Sequence, residues 1–182
     1  MLCYPYNENP MKLIVGLGNP GKEYERTRHN AGFLFLDFLH ETWDLEPFQP
    51  TPKWKGSVSA GMHAGEKVML IKPETFMNRS GESVAAIMSF FKIAVSDVIV
   101  IHDDLDIASG AFKIGSGSGA AGHNGVSDLI EKLGTKDFTR IRIGVGRPPE
   151  NVPAESFVLS PFSDEELVAL RETFTEILKN LE

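Results

Sequence analysis

Hydrophobic and polar positions change period several times along the chain, and each change marks an element. Lys12 to Leu17 is a short apolar run stopped by a turn at Gly18 to Gly21, which predicts a buried strand. After a polar stretch, Ala31 to Trp43 is apolar almost all round, which predicts a central, buried helix. Trp54 to Ala64 and Lys67 to Lys72 read as two strands of a hairpin around Gly65-Glu66. Val84, Ile87, Met88 and Phe91 repeat at helical spacing, and Val98 to Ile101 forms a further buried strand. Ala111 to Ile114 predicts another strand. Val126, Leu129, Ile130 and Leu133 make a second helical stripe ending at Gly134, a left-handed cap. Thr139 to Val145 alternates as a strand. Ser163 with Glu166 spells a capping box before a last helix carrying Leu167, Leu170, Phe174, Ile177 and Leu181.

Strands and helices that interleave from end to end imply an α/β protein: one domain over residues 11–182, with a twisted, mostly parallel or mixed sheet and helices on both faces. The 182 residues suffice for one core, and their 42% hydrophobic and 24% charged content is ordinary for a globular chain. No apolar run is long enough to span a bilayer, so no membrane partner is expected. Residues 1–10 are polar and broken by proline, without a basic start or an apolar stretch. They read as a disordered extension rather than a signal peptide, which makes the cytoplasm the expected location. The lone cysteine, Cys3, lies in that tail. Two long irregular stretches, 103–123 and 147–162, are where function is expected in so compact a chain.

Charge refines this picture. The chain totals −7, yet residues 110–147 hold six cations against three acids, leaving −10 for the remainder. One basic face on an acidic protein suits a grip on a few phosphates, and equally suits a solvated mixed surface.

Several groups could carry chemistry. Gly16-Leu-Gly18-Asn-Pro-Gly21 has the spacing of a dinucleotide-binding turn. The polar stretch after it lacks the apolar face of the required helix, and the nearest candidate ribose-binding acid, Asp37, falls inside a helical run. The turn instead holds Asn19 at the carboxyl end of the first strand. His29 precedes the buried helix and is either a satisfied structural histidine or a base able to titrate near neutrality. In His102-Asp-Asp-Leu-Asp106, three carboxylates and an imidazole could bind a divalent ion. No second ligand cluster accompanies them, so Asp103 as the partner orienting a histidine is the more economical role. Gly115 to Gly119 resembles a nucleophile elbow, but neither serine has glycine on both sides at the required distance, and the stretch reads as a mobile glycine loop. Asn78 and Asn124 precede helices. They are caps, or amide donors for an oxyanion and for positioning water.

Taken in order, Gly16 to Gly21, Tyr24 with Thr27 to Gly32, Lys72 to Asn78, His102 to Asp106, Gly122 to Gly125, Arg140 to Gly146 and Phe157 to Phe162 resemble the bacterial-type peptidyl-tRNA hydrolase family over most of the chain. The resemblance implies a cofactor-free, metal-independent, monomeric esterase. It would cleave the bond between peptide and tRNA, recycling tRNA from peptidyl-tRNA that ribosomes release prematurely. His29 aligns with the family's catalytic histidine and Asp103 with its carboxylate partner. Asn19, Tyr24, Met77, Asn78, His123 and Asn124 fall at substrate-binding positions around the cleft, and Lys113 and Arg142 at positions gripping tRNA phosphate. The glycine loop at 115–121 is longer and richer in serine than in many members, and 149–155 is acidic where relatives are often basic. An RNA-binding protein on the same fold, without catalysis, is the alternative.

Overall fold

In the computed structural model, which describes residues 11–181, the interleaved pattern resolves into one seven-stranded sheet. The strands are β1 (Met11–Gly16), β2 (Gln49–Thr51), β3 (Gly56–His63), β4 (Glu66–Pro73), β5 (Val98–Asp104), β6 (Phe112–Gly115) and β7 (Thr139–Gly144). Their order is β2-β3-β4-β1-β5-β7-β6. β4, β1, β5 and β7 run parallel, while β2, β3 and β6 pair antiparallel at the edges. The helices are α1 (Ala31–Thr42), α2 (Ser80–Phe91), α3 (Asn124–Leu133), α4 (Ala154–Val158) and α5 (Asp164–Leu178). The expected tail at 1–10, with Cys3, lies outside the described residues.

Alternation along each central strand divides the core in two. Leu13, Val15, Met69, Ile71, Val98 and Val100 face α2 and α3 and pack with Val84, Ile87, Val126 and Leu129. Ile14, Val68, Leu70, Ile101, Ile141 and Ile143 face α1 and α5 and pack with Phe35, Leu36, Leu39, Leu170, Phe174 and Ile177. The expected α/β architecture with helices on both faces is the one found. The central strands are apolar on both sides because both are covered.

Three details depart from the sequence reading. α1 is not buried all round: Ala31, Gly32, Phe35, Leu36 and Leu39 are buried, while Leu34, Phe38 and Trp43 are only partly so. Long cationic side chains cover the remainder. Lys72 Nζ sits 4.5 Å from the Phe48 ring centroid and 5.6 Å from that of Phe33, and Arg171 lies over Phe38. The strand expected from Trp54 starts at Gly56, because Pro52–Trp54 is a 3-10 turn that lays the Trp54 ring against Phe90 and Phe91 of α2. The periodicity predicts neither β2 nor α4; three and five residues are too short to display a period.

The chain leaves β1 through α1 on one face and leaves β5 toward α3 on the other. The carboxyl ends of these neighbouring strands therefore flank a crevice, the usual ligand position in open α/β sheets. Gly32 sets how tightly α1 closes on it. A Cβ there would stand 2.4 Å from Leu17 N and 2.5 Å from Ile101 O, so only glycine lets the start of α1 rest on both strands.

Candidate active site

The crevice opens into a cavity of about 840 Å³. The segment after β1 contributes Asn19 and His29, the end of β5 contributes Asp103, and the start of α3 contributes His123 and Asn124. Phe76, Met77 and Asn78 come from the segment before α2, and α4 supplies a wall of Ala154, Glu155 and Val158.

His29 lies in a 3-10 turn, Arg28–Asn30, and is buried except for the edge facing the cavity. Its Nδ1 is 2.9 Å from Asp103 Oδ1, and His123 Nε2 is 3.0 Å from the same oxygen. Burial alone would raise the Asp103 carboxyl. The attraction of the His123 ring and the N–H groups of His123 and His29 outweigh it and hold the group well below the usual carboxylate range. An ionised Asp103 requires a proton on His29 Nδ1, which leaves Nε2 with a free lone pair. His102 points into the protein instead, its Nδ1 donating to Asp103 O at 2.6 Å. Burial, with the neighbouring His123, pushes His102 down to about 3.

The asparagines divide by burial. Asn19 is buried: its backbone N–H donates to Asn30 Oδ1 at 2.8 Å, and its Oδ1 accepts from Met77 N at 2.8 Å. Only its amide NH₂ remains for a ligand. Asn78 and Asn124 are exposed on the cavity. Neither caps a helix: α2 starts without a side-chain cap, and α3 is capped by His123, whose ring accepts from Val126 N. Asn78 is presented by an unusual backbone. Phe76 has φ 61° and ψ 158°, a region nearly restricted to glycine, and the residue lines the cavity and is 54% exposed.

The remaining acids of 102–106 are paired. Asp104 accepts from Arg142 Nε at 2.7 Å, and Asp106 from Arg147 at 2.5 Å. Lys113 is exposed and lies directly opposite Arg142 across β6 and β7. Arg142 is already balanced by Asp104, so Lys113 is the cation of this cross-strand pair that has no carboxylate partner among the described residues. Lys113, Arg142 and Tyr24 are not among the residues lining the cavity. The structure thus gathers Asn19, His29, Met77, Asn78, Asp103, His123 and Asn124 and leaves those three outside.

Sequence reasoning missed two supports. Arg28 is buried and donates to Ser160 Oγ and Pro161 O at 2.8 Å and to Glu166 Oε1 at 2.6 Å, with its guanidinium 4.5 Å from the Phe157 centroid. It locks the His29 turn to the segment that carries α4. Arg140, also buried, donates to the carbonyls of Ser118 and Gly119. The glycine loop is therefore pinned rather than free. Neither arginine stands out along the chain: Arg28 lies between Thr27 and His29, and Arg140 between Thr139 and Ile141, and nothing there says what either meets.

Could a metal sit here? His29, Asp103 and His123 each offer a ligand atom, all within 4.8 Å of one another. The donor chemistry opposes it: His123 Nδ1 accepts the Val126 N–H at 3.3 Å, so Nε2 bears the proton and is a donor, not a ligand.

No serine, threonine or cysteine lines the cavity among the described residues. Fold and site define a class: α/β proteins with a carboxylate-oriented imidazole and amide donors over the ends of a parallel sheet, equipped to activate water. Comparison with known proteins narrows this, because the chain belongs to the peptidyl-tRNA hydrolase family, whose model matches residues 13–182. It is 50% identical over 162 residues to a peptidyl-tRNA hydrolase of Geobacillus thermodenitrificans, covering 89% of this chain and 86% of that one. A peptidyl-tRNA hydrolase of Desulfitobacterium hafniense is 47% identical over 169 residues, covering 93% and 90%. The crystal structure of peptidyl-tRNA hydrolase from Acinetobacter baumannii superposes with a TM-score of 0.85 at 37% identity, covering 91% of this chain and 83% of that one. Among the described residues, no helix is long and apolar enough to cross a membrane.

Proposed function

We propose that the chain hydrolyses the ester joining a peptide to the terminal ribose of tRNA, with His29 as general base. The observation that carries this reading is the His29 Nδ1–Asp103 contact of 2.9 Å, which turns a bare Nε2 toward the cavity. In the proposed step, His29 Nε2 removes a proton from water as the water oxygen bonds to the ester carbonyl carbon. The carbonyl oxygen gains negative charge, and Asn78 donates to it. When the tetrahedral carbon collapses, the bond to the ribose oxygen breaks, and that oxygen takes the proton from His29. Asp103 keeps the imidazole in the productive tautomer and balances its charge in between.

Asn19 and Asn124 hold the peptide backbone, so side chains of many kinds are accepted. Since Asn19 Oδ1 already serves Met77, Asn19 acts as a donor to a peptide carbonyl. Lys113 and Arg142, outside the cavity, grip a tRNA phosphate, which selects for nucleic acid without reading bases.

The test is release of peptide from an N-acetylated aminoacyl-tRNA. The expected result is turnover that EDTA leaves unchanged and that His29→Ala lowers by about 10²–10⁴-fold, the usual worth of a positioned base. Equal turnover by wild type and variant would remove His29 from this role, and loss of activity in EDTA would demand a metal.

A further inference from the structure

His123 stands where a substrate-binding residue is expected, yet both of its ring nitrogens are engaged within the protein. Nδ1 accepts from Val126 N at 3.3 Å and so caps α3, and Nε2 donates to Asp103 Oδ1 at 3.0 Å. A ring that accepts at one nitrogen and donates at the other is held in one orientation. Its centroid lies 4.9 Å from that of His29 and 4.7 Å from that of His102, between the two.

We propose that His123 is a positioning residue that acts on His29 through Asp103: fixed by its cap on α3, it places a second N–H on the very oxygen that orients the base. This rests on the reading of His29 as the base.

A carboxylate oxygen that receives two N–H donors divides its charge between them. His29 is therefore held in place firmly, but the stabilisation of its protonated form is diluted. The base sits beside an ionised carboxylate that has no arginine or lysine partner among the described residues. The other charges around His29 are already neutralised or turned elsewhere. Asp104 and Asp106 on the β5 side pair with Arg142 and Arg147, and His102 is buried and uncharged. On its own turn, Arg28 is spent on Glu166. Arg140 of β7 is bound to the glycine loop. Glu155 of α4 lies across the cavity and is the one acid there with no basic partner among the described residues. Asp103 is thus the carboxylate in contact with the base, and His123 shares it.

Two substitutions separate the halves of this role. His123→Ser keeps a good N-cap and removes the donor to Asp103. His123→Gln loses the cap and keeps an amide N–H at the reach of Nε2. The measurements are the pH dependence of kcat/KM on N-acetyl-aminoacyl-tRNA and the pH titration of the His29 ring by NMR in the free protein. In His123→Ser the acid limb and the ring titration both move to higher pH, by roughly half to one unit, because Asp103 now serves His29 alone. In His123→Gln both stay within about 0.2 unit of wild type on the same scale. A ring titration that stays put in His123→Ser overturns the proposal. So does a shift in both variants alike, which would be loose packing, or a rise in KM with unmoved curves, which would make His123 a substrate contact. A ring titration that moves while the acid limb does not leaves the proposal standing and removes His29 as the base.

Discussion

At the scale of single residues, the site rests on protonation states that burial and partners impose. His102 is the clearest case. Burial, aided by His123, lowers it to about 3 from 6.5. Between those two values the unfolded chain binds a proton that the folded chain refuses. Above pH 6.5 the ring is neutral in both states and costs folding nothing, and stability is lost progressively as pH falls from there toward 3. We expect unfolding free energy, from denaturant titrations between pH 6.5 and 4.5, to fall more steeply in the wild type than in His102→Phe. The slopes should differ by up to about 1.4 kcal/mol per pH unit, one proton's worth. Parallel slopes would show that the ring is accessible to protonation in the folded state. Phe76 makes the complementary point: a backbone angle that favours glycine is accepted where it presents Asn78 to the cavity.

At the scale of elements, capping decides where helices begin and so where site residues stand. Ser163 accepts from Glu166 N while Glu166 accepts from Ser163 N, and the other oxygen of Glu166 receives Arg28. The cap of α5 is thereby wired to the turn that bears His29. Ser163→Ala should cost about 1 kcal/mol in the denaturant midpoint, as for an ordinary N-cap. It should also lower kcat several-fold if the Arg28 link transmits to His29, and an unchanged kcat beside the expected stability loss would confine the box to folding. The glycine loop depends on its neighbour β7 in the same way, since Arg140 holds two of its carbonyls. Ser118 takes part through its side chain as well, for its Oγ is also a partner of Arg140.

For the whole molecule, the question is how a protein of net charge −7 binds tRNA. β6 and β7 bring Lys113 and Arg142 side by side at a sheet edge, in a segment that is positive while the remainder is strongly negative. Lys113→Ala and Arg142→Ala should each weaken tRNA binding and reduce the slope of log K against log salt by about 0.9 for every phosphate no longer neutralised. Turnover of a minimal ester substrate lacking the tRNA body should be little affected by Lys113→Ala. Unaltered salt dependence in both variants would place the phosphate grip elsewhere.

Much of this was legible along the chain. The period of apolar positions determined the central strands and the principal helices, because both faces of the sheet are covered and the core-facing positions recur at the period of each element. The capping box and the Gly134 cap are local and were equally plain. The ordered motifs marked which residues to watch. What the sequence could not supply is what each polar group meets, since those partners are far apart in the chain. Asn19 has the look of a turn residue, yet its oxygen serves Met77, 58 positions away. Asn78 and Asn124 have the look of caps, yet the cap of α3 is His123. Helix patterns show that an end must be capped, not which neighbour does it. His29 and Asp103 are 74 positions apart and meet because Gly32 lets α1 rest on β1 and β5. Only the folded chain could show that Asp103 answers to two histidines through one oxygen.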